Sequence, residues 1–141
     1  MELTKTLAWI VITSTSMLSI QAPARTVSKV VVESVGQSDI KEDPPSEGCK
    51  AFQPTVKQVR EYFKNAYPVP ANFGAHERYS PCYAKGTVEF SDKTSGTWKL
   101  SSGGTSTLLW SSGDAVTLFY RAYKWNDPFA CMYGLGDEDG C

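Results

Sequence analysis

Along residues 82–123 the hydrophobic positions recur at every second residue, the period of a strand with one buried face. Ala84, Gly86, Val88 and Phe90 alternate with Lys85, Thr87 and Glu89, while Trp98 and Leu100 alternate with Thr97, Lys99 and Ser101. Leu108, Leu109 and Trp110 mark a third run at 106–111, and residues 115–123 form the longest alternation. The joints at 91–96, 102–104 and 112–114 are short and rich in Gly, Ser and Asp, so consecutive runs fold back as hairpins into an antiparallel meander. Upstream the period becomes helical. Val56, Val59, Phe63 and Ala66 fall on one stripe, with Lys57, Arg60, Glu61 and Lys64 elsewhere, and Thr55 with Gln58 supplies a capping box. Pro68 stops the pattern, so the spacing predicts a helix over 55–67.

Two further stretches precede this body. Val27, Val30, Val31 and Val32 make a β-branched run that adds one optional strand. Residues 36–48, with Asp39, Glu42, Asp43, Pro44, Pro45 and Glu47, read as a flexible acidic linker. The expected fold is α+β: one helix packed on a four- to five-stranded antiparallel sheet, in the order β-α-β-β-β-β. The expected organisation is 1–24 as a signal peptide, 25–48 as strand and linker, and 49–141 as the stapled domain.

The signal expectation rests on Lys5, the apolar run from Leu7 to Ile12, and the small residues Ala22-Pro23-Ala24, an A-x-A-like cleavage site. Thr13, Ser14, Thr15 and Ser16 interrupt that run, which is shorter than the roughly 20 residues a bilayer core requires. No later segment has the length and apolarity of a membrane span. A periplasmic or secreted location follows as an expectation, and the four cysteines agree with it.

Cys49, Cys82, Cys131 and Cys141 all lie beyond the cleavage region, an even number in a small chain. They form no C-x-x-C pair and His76 is the sole histidine, so metal-ligand spacing is absent and no metal or other cofactor is expected. Of the three pairings open to two disulfides, Cys131 with Cys141 is favoured because Gly134, Gly136 and Gly140 let that short segment close. Cys49 then pairs with Cys82, joining the helix to the start of the sheet.

The order of elements resembles the cystatin-like arrangement, a helix held by a curled antiparallel sheet. The inhibitory Q-x-V-x-G loop of cystatins is missing at the hairpin turns, so the resemblance implies fold and not protease inhibition. Cys49-Lys50-Ala51-Phe52-Gln53-Pro54-Thr55, Gln58-Val59, Tyr62-Phe63, Ser80-Pro81-Cys82 and Gly96-Thr97-Trp98 are similar to a group of small, uncharacterised exported proteins of proteobacteria. That similarity implies a bacterial envelope setting and no activity. The segment Trp110-Ser111-Ser112-Gly113 is similar to the W-x-K-G segment of periplasmic lysozyme inhibitors, with Ser112 in place of the basic residue.

The composition is that of a folded soluble protein, 41% hydrophobic and 21% charged with a net charge of -1. No Lys/Arg block is present, which argues against nucleic acid as a partner. Catalytic signatures are weak. His76 beside Glu77 admits a base next to one of several serines, but G-x-S-x-G and H-E-x-x-H are absent, and pairing would consume the thiols. The acidic tail Asp137-Glu138-Asp139 lacks the length and terminal glutamate of an EF-hand loop. Binding is left as the main expectation. With the helix over Val88, Phe90, Trp98, Leu100, Leu108, Val116, Leu118 and Tyr120, the other face carries Leu109, Phe119, Arg121 and Tyr123, continued by Trp125. Aromatics with arginine are the composition of interface hot spots. Those five residues are the candidate surface for another exported protein, as inhibitor or immunity-type partner, unless the segment around Phe129 covers them. The alternatives are cell-wall glycan stacking on the same rings and an envelope enzyme using His76.

Overall fold

A computed structural model describes residues 25–41 and 45–131 of the chain. Six strands form one antiparallel sheet: β1 (Val27–Ser38), β2 (Tyr67–Val69), β3 (Cys82–Phe90), β4 (Ser95–Ser101), β5 (Thr105–Trp110) and β6 (Ala115–Phe119). The spatial order is β1-β3-β4-β5-β6-β2, so the hairpin meander β3 to β6 is flanked by two strands from earlier in the chain. Three short helices, α1 (Pro45–Cys49), α2 (Val56–Asn65) and α3 (Phe73–His76), complete the described elements. The α+β class is as expected, with six strands rather than four or five.

Helix α2 begins where its sequence dictates. The Gln58 amide donates to Thr55 Oγ1 at 3.2 Å while the Thr55 amide donates to Gln58 Oε1 at 2.8 Å, satisfying two groups a helix start otherwise leaves unpaired. Its buried side differs from the expected stripe: Val59, Tyr62 and Phe63 face the sheet, whereas Val56 remains 46% exposed. Tyr62 can be buried because its hydroxyl is satisfied, lying 3.0 Å from both Ser106 Oγ and Leu118 O. A carbonyl only accepts, so Tyr62 donates to Leu118 O and Ser106 donates to Tyr62. Burial pushes the phenol above its ordinary range, and the ring stays neutral.

The helix ends at Asn65, short of the expected Tyr67, because a residue before proline avoids helical backbone. Ala66 is already extended, and Tyr67, Pro68 and Val69 pair with Phe119, Leu118 and Thr117 as edge strand β2. Proline is tolerated there because an edge strand leaves some amides unpaired. At the other edge, β1 follows β3 through three register irregularities between Val27 and Gln37, where bulges bend the strand.

The linker reading of 36–48 is corrected. Gly36 to Ser38 continue β1, Asp39 pairs with Lys99 at 2.7 Å, and α1 occupies the end of the stretch. Gly36 adopts φ +62, the left-handed region, which lets its amide donate to Phe52 O at 2.8 Å. Residues 42–44 lie outside the described residues. The strand and α1 are thus bound into the sheet, and the folded body includes residues ahead of Cys49.

One face of the sheet carries the main core, with Ala84, Val88, Phe90, Trp98, Leu100 and Leu108 packed beneath Val59, Tyr62 and Phe63. Gly86 belongs to the same layer because Trp98 lies over it; a Cβ there would come within 2.5 Å of Trp98 Cζ2. The chain after β6 folds back onto this face, placing Trp125 edge-on to Phe52 at 5.8 Å and beside Tyr62 at 5.9 Å. The disulfide joins Cys49 at the end of α1 to Cys82 at the start of β3, both fully buried. Cys131 is also disulfide-bonded, while its expected partner Cys141 lies outside the described residues.

Candidate binding surfaces

The five residues expected to make one exposed row do not share a surface. Strand β6 stops at Phe119, so strand alternation no longer places Arg121, Tyr123 and Trp125 beside it. Phe119 does point to the face opposite α2, but it is buried there. The Phe73 ring of α3 lies tilted against it at 4.8 Å, Tyr67 meets it edge-on at 5.8 Å, and the Arg78 guanidinium sits 5.3 Å above its ring. The cover comes from the connection between α2 and β3, not from the segment around Phe129, whose ring packs against Gly48 on the core side. Trp125 is 9% exposed, donates its ring N–H to Ser102 O at 2.8 Å, and stacks on half-buried Tyr123 at 4.7 Å. Arg121 is exposed. Leu109, at 47% exposure, is the one apolar member that reaches solvent.

Cross-strand register places Leu109 in a row of neighbours. Val31 pairs with Thr87, Thr87 with Thr97, Thr97 with Leu109, and Leu109 with Ala115. These residues run as one uncharged strip across five strands on the face away from α2. Val31, Thr97, Leu109 and Ala115 are exposed, and a shallow depression of about 300 Å³ follows the strip past Thr87, Thr97, Leu109 and Trp110. The neighbouring row pairs Lys85 with Lys99 and Lys99 with Thr107. Both ammonium groups lie over the Tyr83 ring, at 5.2 and 4.1 Å, an arrangement that spreads two like charges across a ring face. Sequence reasoning named Leu109 among its candidates without the rest of the strip, because a row across strands becomes visible only once register is known.

The core side of the sheet has a second opening. Between the end of α2 and strands β5 and β6 lies a groove of about 460 Å³, floored by Phe63, Phe90 and Leu108 and walled by Trp110, Val116 and Leu118. Arg25 and Lys64 are its charged lining groups. Arg25 lies 5.0 Å from the Trp110 ring centre and pairs with Asp92 at 3.1 Å.

Asp92 itself accepts hydrogen bonds from the Thr94 hydroxyl and, at 3.0 Å, from the Thr94 amide. These contacts, led by the hydroxyl bond, hold its carboxyl below the ordinary value of 3.8, with Arg25 adding a smaller effect. A depressed folded pKa means that the turn's contribution is present above the unfolded value and lost as pH falls through the folded one. We expect Asp92 to titrate below 3.8 in an NMR pH series, with Thr94 amide protection lost only at that acidic step. Titration at or above the ordinary value would contradict this.

Ser80, Ser102 and Asp127 form a buried relay. Ser80 and Ser102 hydroxyls are 2.6 Å apart, Ser102 donates to Asp127 Oδ1 at 2.7 Å, and the Cys82 amide donates to Ser80 at 3.2 Å. Since the Ser102 proton is used, Ser80 donates to Ser102. The relay ends on the Asp127 carboxylate and contains no histidine, and it clamps the disulfide end of β3 to the C-terminal segment. His76 is exposed in the last turn of α3 and lines neither depression nor groove. Among the described residues no cluster of His, Cys, Asp and Glu could hold a metal ion, and no helix is long and apolar enough to cross a membrane. Compared with known protein families, with curated proteins and with solved structures, the chain matches none of them.

Proposed function

We propose that this is an exported binding protein, acting in the periplasm as an inhibitor or immunity-type partner of another envelope protein. The observation that carries the reading is the uncharged strip Val31-Thr87-Thr97-Leu109-Ala115. It is unobstructed by other described elements and set on hydrogen-bonded strands that cannot easily rearrange, so a partner loses little entropy in ordering it. Lys85 and Lys99 beside it favour a partner whose docking surface is apolar at the centre and acidic at one rim. The buried Cys49–Cys82 disulfide is compatible with an oxidising compartment.

The test uses Leu109→Asp. Because the side chain is 47% exposed, its replacement changes the melting temperature little. Placing a carboxylate at the centre of a desolvated interface is expected to cost about 2 kcal/mol or more, roughly a thirtyfold loss of affinity. The measurement is quantitative capture of envelope proteins by the wild type and the variant, with the captured species identified and retitrated in purified form. Equal affinity of both forms for that species would place its docking surface elsewhere.

A further inference from the structure

Helix α2 has ten residues, so it is about 15 Å long, and six strands are roughly 24 Å across. One helix cannot cover such a sheet. The C-terminal segment with Trp125 and Phe129 fills part of the remainder, and among the described residues none covers the corner beside Trp110, Val116 and Leu118. Its floor is rigid: Phe63, Phe90 and Leu108 are buried, whereas the three wall residues are half-exposed. The volume, about 460 Å³, is within the range of roughly 300 to 1,000 Å³ typical of small-molecule sites. Apolar lining alone would suit many occupants, but here the charged lining groups are Lys64 and Arg25, the latter already paired with Asp92 at 3.1 Å.

We propose that this groove binds a free single-chain amphiphile with an anionic headgroup, the acyl chain lying between α2 and β6 and the headgroup drawn to Lys64. The chain replaces water on Trp110, Val116 and Leu118, and the Lys64 ammonium at the rim selects the sign of the headgroup. Lys64 makes no ion pair among the described residues, so an incoming carboxylate need not displace an existing partner there. The strip proposed to meet a protein lies on the opposite face and shares Trp110 with the groove wall, so the two sites are tested separately through residues that line only one of them, Leu109 and Lys64.

The experiment is calorimetric titration of the full mature protein with dodecanoate, held below its micelle concentration, beside dodecyltrimethylammonium, which has a tail of the same length and the opposite charge. Saturable one-to-one binding of dodecanoate is expected, with the cation weaker by about tenfold or more. Lys64→Glu, at an exposed position, should weaken dodecanoate by about tenfold and leave the melting temperature unchanged. Val116→Trp should fill the groove and abolish binding, and Leu109→Asp should leave dodecanoate affinity as in the wild type. Absence of saturation, equal affinity for the two tails, or indifference to Lys64→Glu would overturn the proposal. So would a concentration-dependent dimer of the ligand-free protein that Lys64→Glu disrupts, since the occupant would then be a second copy.

Discussion

Trp125→Ala is expected to lower stability by about 3–5 kcal/mol, the cost of emptying a large aromatic site in a packed core. Its indole is wedged between Phe52 and Tyr62 and stacked by Tyr123, so no nearby side chain is free to collapse into the space. The lost ring N–H also strips Ser102 O of its 2.8 Å donor within the turn between β4 and β5. Trp125→Phe separates the two contributions: it keeps most of the volume and forfeits the hydrogen bond, for about 1–2 kcal/mol. Urea unfolding of the three proteins gives the values. A loss below about 1 kcal/mol for Trp125→Ala would mean that the C-terminal segment is not part of the cooperative unit.

Replacing Cys49 and Cys82 together by serine should cost a similar amount. The bridge spans 33 residues of sequence, and the loop it closes corresponds to about 4 kcal/mol of unfolded-state entropy, a fall in melting temperature on the order of 15 °C. Two features add to this. Both sulfur sites are fully buried, so serine hydroxyls would have to find partners in an apolar layer. The Cys82 amide and carbonyl also anchor the Ser80 hydroxyl and the Ser102 amide, at 3.2 and 2.9 Å. Thermal melts of the wild type and the double variant without reductant check it, and coincident melts would overturn the expectation; reductant, which also opens the Cys131 bridge, should bring the wild type to or below the double variant.

The elements that depend on local chemistry were legible in the sequence. Helix α2 was visible because Thr55 and Gln58 cap it and Pro68 forbids its continuation, and the meander because alternation and Gly-rich joints both recur along β3 to β6. The Cys49–Cys82 bridge was likewise anticipated. What escaped depends on distant partners. Three residues at Tyr67–Val69 carry no strand pattern of their own and are a strand only because β6 offers an open edge. Residues 73–76 form α3 where Phe73 can pack on Phe119, a contact no local window contains. The candidate surface suffered most, since Phe119 and Trp125 have the composition of a hot spot and the burial of core residues. Aromatic content cannot tell those apart; coverage by another segment does.

The two borders of the sheet decide how this molecule can be approached. On one side the main chain is kinked by repeated bulges in β1, and on the other it offers three residues with Pro68 in the middle. An extended peptide seeking to continue the ladder would find neither a straight row of donors and acceptors nor enough of them. For a protein that binds as proposed above, recognition is thereby turned through a right angle, onto the broad sides of the sheet, where side-chain chemistry rather than main-chain complementarity would discriminate among visitors.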